Sequence, residues 1–310
     1  MALGHRDILL YRTRKSTLPP EELQAFPTET DLGAALGRRP DAVIVSNPTS
    51  MHLDVAIPAA RAGCHILLEK PVSDNLERID VLREAVERAN VRVLMGFQFR
   101  FHPTLQQVHR MVADGSLGKV FSARAHWGEY FPDWHPWEDH RRSYAARRDL
   151  GGGALLTLCH PIDYLRWILG EVAGAEGALR RALNLEVEAI ADIDLRFDSG
   201  ASANVHLDYI QRPPEHTLEI VAERGRLRWD GLTGEVTIAD GPEGLESGYR
   251  APKGFERNDM FRAEMNHFVE VVEGKAAPVC SLDDGLRVQE IIDSVRRSAA
   301  SSVGEIGAVR

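Results

Sequence analysis

Short apolar runs alternate with amphipathic stretches along the first third of the chain. Asp7–Arg12 (DILLYR), Asp41–Asn47 (DAVIVSN), His65–Leu68 and Val91–Phe97 read as buried parallel strands, with polar residues gathered at their ends. Thr17–Thr28 is a Pro-rich connector. Helices are predicted over Asp31–Arg38, from Ser50 as N-cap to Ala62, over Leu76–Ala89 capped by Asp74 or Asn75, and over Pro103–Asp114 with proline in the first turn. From Val120 the period becomes two. Val120–Trp127, Val187–Phe197, Ala201–Ile210, Thr217–Leu227 and Val236–Ala239 alternate like half-buried strands, with hairpin-like turns at Asp198-Ser199-Gly200 and Asp230-Gly231. Met260–Glu273 and Leu282–Ala299, the second capped by Ser281, read as amphipathic helices, and Pro242–Arg257 as a polar, Gly-rich loop. Gly151–Leu169 reads as a glycine-started helix, and Pro161 inside it predicts a kink or a late start.

Two stretches carry candidate chemistry. The strand ending Leu67-Leu68-Glu69-Lys70-Pro71 puts charge only at its carboxyl end, where open α/β sheets bind ligands, and Pro71 pins the turn so that Lys70 sits at a fixed lip. The alternative is a pair of ordinary solvated charges. In Gly151–Leu169, Thr157, His160, Asp163 and Trp167 lie close to one helical face. A histidine suits proton exchange with an alcohol near neutral pH, and Asp163 one turn on is placed to orient its ring; a buried structural histidine is the plainer reading. Glu129–Arg148 is also unusual. Trp134, His135, Trp137 and Tyr144 stand among arginines there, a combination that suits stacking on a sugar and holding its anionic groups, with a subunit contact as the alternative.

These segments share a resemblance. The strand-end Glu69-Lys70-Pro71, together with Asn47-Pro48-Thr49-Ser50-Met51-His52, Gly96-Phe97-Gln98-Phe99-Arg100-Phe101-His102-Pro103 and Gly151-Gly152-Gly153-Ala154-Leu155 leading to His160 and Asp163, resembles the glucose–fructose oxidoreductase/inositol dehydrogenase (Gfo/Idh/MocA) family. The resemblance covers nearly the whole chain. It implies an α/β plus α+β fold: a Rossmann-type parallel sheet domain over 1–118, then a substrate-binding and oligomerisation domain over 119–310 with a large open, mostly antiparallel sheet. It implies an NAD(P)-dependent dehydrogenase or reductase moving hydride between a nicotinamide cofactor and a secondary alcohol or ketone of a sugar, polyol or sugar derivative. Lys70, His160 and Asp163 are then the catalytic candidates. Asn47, Pro48, His52, Glu69, Lys70, Gln98 and Arg100 are cofactor neighbours, and Trp134, His135, Trp137, Tyr144 and Thr157 substrate neighbours. Many members carry an aspartate where Thr157 stands, and threonine cannot supply the same charge to His160. Two other readings keep the fold: a cofactor held tightly and recycled in place, and a non-catalytic sugar-binding or regulatory protein.

The N-terminus departs from the family. Met1–Arg6 reads as the tail of a helix and a turn, and no G-x-G-x-x-G precedes Asp7, where members carry it. The expectation is that the first strand and the Gly-rich turn are missing, through a misassigned start, a truncation or a loss. The absent strand is normally central, so two strand edges are expected to be left unpaired. At the end of DILLYR stand Tyr11, Arg12, Thr13 and Arg14 with no carboxylate, which favours NADP over NAD by the ribose rule, with Arg12, Thr13 and Arg14 as cofactor contacts. At 310 residues with 44% hydrophobic and 27% charged residues, the chain has room for two cores. A net charge of -9 argues against nucleic acid and anionic membranes as partners. There is no apolar run of membrane-spanning length and no signal-peptide pattern. Cys64, Cys159 and Cys280, at no ligand-like spacing, read as reduced thiols of a cytoplasmic protein without a metal. The remaining expectation, from the family, is a homodimer or homotetramer built on the open sheet.

Overall fold

The computed structural model describes residues 4, 7–12 and 24–301. Its first part is built on short parallel strands. β1 (Leu10–Tyr11) pairs in parallel with β2 (Thr28–Glu29), a much shorter strand than the run DILLYR suggests. β3 (Ala42–Val45), β4 (His65–Glu69) and β5 (Val93–Gly96) form a second parallel sheet with β4 in the middle. The two sheets do not join, so β1 and β3 each keep one unpaired edge among the described residues.

Local chemistry sets the helix starts. α1 (Leu32–Gly37) is capped by Asp31, whose carboxylate accepts the Ala34 N–H at 2.7 Å. The Asn47-Pro48 turn runs into a 3-10 turn at Thr49–Met51 before α2 (His52–Arg61). Ser50 is therefore not the cap; its hydroxyl donates to the Asp149 carbonyl 2.9 Å away. α3 (Ile79–Ala89) begins later than the sequence suggests, because Asn75 accepts the Glu77 N–H at 2.7 Å and holds the chain in a turn. α4 (Pro103–Ala113) begins at its proline as expected.

The second part opens at β6 (Val120–Gly128). The predicted helix of Gly151–Leu169 is broken into α5 (Ala154–Thr157) and α6 (His160–Leu169), with Pro161 in the first turn of α6. There follow β7 (Val172–Arg180), β8 (Ile190–Phe197), β9 (Ser202–Asp208), β10 (Glu215–Ala222), β11 (Gly225–Asp230), β12 (Glu235–Asp240) and β13 (Leu245–Arg250), then α7 (Arg257–Val272) and α8 (Leu282–Ser301). The expected single strand Thr217–Leu227 is a hairpin of β10 and β11. The expected loop Pro242–Arg257 contains β13, and β7 has too many Ala and Gly residues to show an alternation in the sequence.

These strands form one sheet in the order β13-β12-β11-β10-β6-β9-β8-β7, antiparallel throughout except for the central β6–β9 pair. Burial alternates along each central strand. Ala123, Ala125 and Trp127 of β6 face the helices, whereas Arg124 and His126 face the open side. Trp229, Tyr164, Tyr209, Phe97 and Phe131 are the largest fully buried side chains. No helix among the described residues is long and apolar enough to cross a membrane.

Candidate active site between the two sheets

β4 ends at Glu69, and Lys70 projects from the turn that follows. Its ammonium donates to the Thr157 carbonyl at 2.5 Å, crossing from the small parallel sheet to α5 of the second part. His160 starts α6 three residues further on. Its ring is enclosed by Phe97, Phe99 and Trp127, at centroid distances of 5.6, 5.0 and 5.5 Å. Burial in this aromatic cage pushes the His160 pKa well below the usual histidine range, and the charge of Lys70 pushes the same way. The ring is therefore neutral near pH 7, and its buried Nδ1 has no hydrogen-bond partner. A neutral imidazole with an uncommitted nitrogen, beside a fixed ammonium, can exchange a proton with an alcohol while the ammonium stabilises the oxygen.

Two turns frame the lysine. His52 lies buried between them, Nδ1 2.8 Å from the Pro71 carbonyl and Nε2 3.0 Å from the Asn47 carbonyl; the neutral ring donates to one of the two and packs against both turns. Asn47 donates to the Met51 carbonyl at 2.9 Å, while its buried Oδ1 has no partner. The Glu69 carboxyl is raised by burial, against the pull of Lys70. It fits because its β5 neighbour is Gly96: a Cβ there would stand 3.0 Å from Glu69 Oε2. Gln98 is buried at the head of the turn after β5. Cys159, beside His160, is fully buried and its thiol is pushed up to about 12, which leaves it unreactive.

Several expected roles change. Asp163 does not orient His160. Its carboxylate takes the Arg100 guanidinium in a fork, Nε at 3.0 Å and the terminal nitrogen at 2.7 Å. Arg100 is thereby committed to Asp163 and to the Val279 carbonyl at 2.8 Å rather than left free for a cofactor. Burial alone would lower the Arg100 pKa, but the Asp163 carboxylate outweighs this and holds it above its ordinary value. The physical reason is burial: both side chains are at most 3% exposed, and neither charge is tolerable there without the other. His52 is likewise taken up by backbone carbonyls instead of facing a ligand. Within the aromatic loop, Trp134 packs on Phe131 and Tyr209, at 5.1 and 5.5 Å. Tyr144 is partly exposed in the adjoining turn, whose Ala145 carbonyl lies 3.5 Å from the Tyr209 hydroxyl. His135 and Trp137 touch each other at 5.2 Å with Trp137 76% exposed, and no contact among the described residues joins them to Lys70 or His160. Arg12 is half-buried after β1; Thr13 and Arg14 lie outside the described residues.

The sequence reading missed the other wall of the site. A cavity of about 390 Å³ opens beside the cage, floored by Phe99, Trp127 and His216 and rimmed by Glu129, Arg250 and Arg257. Trp127 stacks on His216 at 4.3 Å and donates its Nε1–H to Glu129 at 2.8 Å. Burial pulls His216 down to about 3, so it too is neutral. The β6–β10 register, Trp127 opposite His216, is what brings these two residues together, and only the alternation of β6 hinted at it.

A model described as the oxidoreductase family with NAD-binding Rossmann fold matches residues 15–97, and one described as the GFO/IDH/MocA C-terminal domain matches residues 105–228. D-xylose 1-dehydrogenase (NADP(+)) 2 of Haloferax volcanii is 26% identical over 261 residues, spanning 84% of this chain and 78% of its own. Myo-inositol 2-dehydrogenase of Thermotoga maritima is 29% identical over 262 residues, spanning 79% and 73%. Among solved structures, levoglucosan dehydrogenase in complex with NADH and levoglucosan superposes with a TM-score of 0.85 over 94% of this chain and 88% of its own, at 20% identity, a likeness of fold. The two matched models, the first containing Lys70 and the second His160, show that the chain belongs to the Gfo/Idh/MocA family of oxidoreductases.

Proposed function

We propose that the protein is an NAD(P)-dependent dehydrogenase or reductase acting on a secondary alcohol, or the matching ketone, of a sugar, polyol or sugar derivative. The observation that carries this reading is the bond from Lys70, at the end of a parallel strand, to the Thr157 carbonyl, three residues before the neutral His160 whose buried Nδ1 has no partner. A nicotinamide, when bound, supplies or accepts the hydride. His160 takes the hydroxyl proton at a ring nitrogen or returns it to the ketone oxygen. Lys70 has two further N–H donors beyond the one on the Thr157 carbonyl, and these hold the substrate oxygen as negative charge builds on it. The aromatic floor and charged rim of the neighbouring cavity suit a ring with one apolar face and polar substituents. Names of the relatives support a sugar or polyol: one is a D-xylose dehydrogenase, another a myo-inositol dehydrogenase.

The residues present fit the nicotinamide end of the cofactor. Asn47 Oδ1 is a buried acceptor without a partner at the strand-end turn, close in sequence to the His52 ring that braces Lys70. Residues 1–118 would serve the cofactor and 119–310 the substrate. Arg12, in the stretch Tyr11–Arg14 that holds no carboxylate, supports NADP over NAD. We place the protein in the cytoplasm, a reading supported by three buried free cysteines, and in a homodimer or homotetramer formed through the open sheet face. A second reading, a sugar-binding protein without redox activity, is favoured by one observation: the described parallel strands form two unjoined sheets. Fluorescence titration with NADPH and NADH, followed by turnover on a panel of sugars and polyols, decides. Tighter NADPH binding with turnover of at least one polyol or sugar is expected; binding of neither nucleotide would favour the second reading.

A further inference from the structure

The open face of the large sheet holds a cluster that the oxidoreductase site does not use. The parallel β6–β9 pairing sets His126 directly beside His206 and Gly128 beside Asp208. Because neighbours along a strand point to opposite faces, His126 faces away from the helices while Trp127 faces His160. The two imidazoles lie 4.8 Å apart by centroid. His206 Nε2 is 3.2 Å and His126 Nε2 is 3.7 Å from Asp208 Oδ2, and one donor atom from each of the three residues lies within 4.8 Å of the others. A tetrahedral ion with bonds of about 2.0–2.1 Å requires its ligands about 3.4 Å apart, which those two separations bracket.

The surroundings are those of a held ligand set. His206 presents Nε2 to the cluster while its Nδ1 is 2.5 Å from Asp192 Oδ1, the carboxylate–histidine pairing that fixes tautomer and orientation in metal sites. Asp208 is buried, and its other oxygen accepts the Ile210 N–H at 2.8 Å, so Oδ2 is aimed at the histidines. Any side chain at position 128 would collide with that carboxylate, and glycine leaves the space. His126 is the adjustable member. It is one-third exposed and now pairs with Gln211 Oε1 at 2.6 Å. A cavity of about 460 Å³ is lined by both His126 and His206, which leaves room for a further ligand beside the two imidazoles in the single chain.

We propose that His126, His206 and Asp208 form a binding site for a borderline divalent transition ion, with Zn²⁺ as the probe. Two imidazoles and a single carboxylate suit such an ion; Mg²⁺ and Ca²⁺ prefer all-oxygen sets. No spacing in the sequence advertises the site, because its ligands meet only through the register of two strands about eighty residues apart. The site stands on the opposite face of β6 from the Lys70–His160 cleft, so its test is separate from that of the oxidoreductase reading.

Chelator-treated full-length protein is titrated with Co²⁺, followed by its visible absorption, and Zn²⁺ is then added to displace it. One ion per chain is expected, displaced by Zn²⁺, and lost in both His126→Gln and His206→Gln. These partly exposed positions can be changed without opening the core. Asp192→Asn should weaken Zn²⁺ binding about 10–100-fold without moving the thermal midpoint of the metal-free protein. Absence of a Co²⁺ band, or a band that survives His206→Gln, would overturn the site and leave a hydrogen-bonded histidine–carboxylate network.

Discussion

The large, mostly antiparallel sheet and the small parallel strands are built to different standards of completeness. The large sheet pairs every inner strand on both sides, and its central strands alternate cleanly, Leu195, Val205 and Leu207 inward, Asp194, Asn204 and His206 outward. The small parallel strands come in two pieces. β3 reads Ala-Val-Ile-Val, the composition of a strand covered on both faces, yet Ile44 is 51% exposed. α2 packs on one face of β3; the face carrying Ile44 has no cover among the described residues. The difference teaches that the site depends less on a perfect sheet than on three ties across the gap: Lys70 to Thr157, Arg100 to Asp163, and Ser50 to Asp149.

The largest effect is expected from the tie that carries the chemistry. His160→Asn should lower kcat/KM roughly 10⁴-fold, about 5.5 kcal/mol of barrier. Lys70→Met should fall by a similar factor. The double variant should be scarcely worse than the worse single one, because the two residues act as a unit although each comes from a different part of the fold. Because burial holds His160 well below its ordinary pKa, the acid limb of kcat/KM for alcohol oxidation should lie below pH 6.5. Steady-state kinetics of the three variants checks both points, and additive losses would break the idea of a shared site.

Next is the buried fork. Asp163→Asn should destabilise the protein by about 3–5 kcal/mol, since it leaves the Arg100 charge uncompensated, and should shift the unfolding midpoint far more than it alters the pH profile of turnover. Arg100→Met combined with Asp163→Leu should recover much of the loss. Denaturant unfolding of the single and double variants distinguishes this from the role in orienting His160 that the sequence suggested.

That misassignment shows what was legible. Lys70 was marked by a local signal, a charge closing an apolar strand, and His160 by its place on one helical face together with the family resemblance. The alternation of β6, β8 and β9 was legible because one face of the sheet is polar. The Arg100–Asp163 fork, the Trp127–His216 wall and the His126–His206–Asp208 cluster were not, because each joins residues about forty or more apart through packing or strand register that no local pattern encodes. β7 and β13 escaped for a different reason: alanine and glycine in one, and turn-rich polar sequence in the other, mask a period of two.

The contrast between the sheets can be measured directly. Leu207→Ala, on the covered face of the large sheet, should cost about 3 kcal/mol. Ile44→Ala, on the bare face of β3, should cost less than about 1 kcal/mol, and Ile44→Lys about the same. Chemical denaturation of these three variants is sufficient. A loss at Ile44 as large as that at Leu207 would mean that this face is covered in solution, by a further segment or another subunit.

The smallest effect concerns Glu264 of α7, whose buried Oε1 has no partner and whose pKa burial pushes up from 4.5 to about 8, with the Glu69 charge adding to the shift. Its native form holds the proton more tightly than the unfolded chain does. The stabilisation from that proton is therefore complete below about pH 4 and is lost as pH rises through about 8. Glu264→Gln keeps the shape and removes the titration. Its unfolding free energy should match that of the parent near pH 4 and exceed it by about 1–2 kcal/mol at pH 9, the full pKa shift being reduced by water reaching the ionised pair. Thermal melts across that range read the difference. Because Glu69 closes β4 beside Lys70, a parallel shift in the stability curve of Glu69→Gln would tie this buried acid to the rim of the small sheet, whereas parent and variant curves that coincide at every pH would show that Glu264 is solvated.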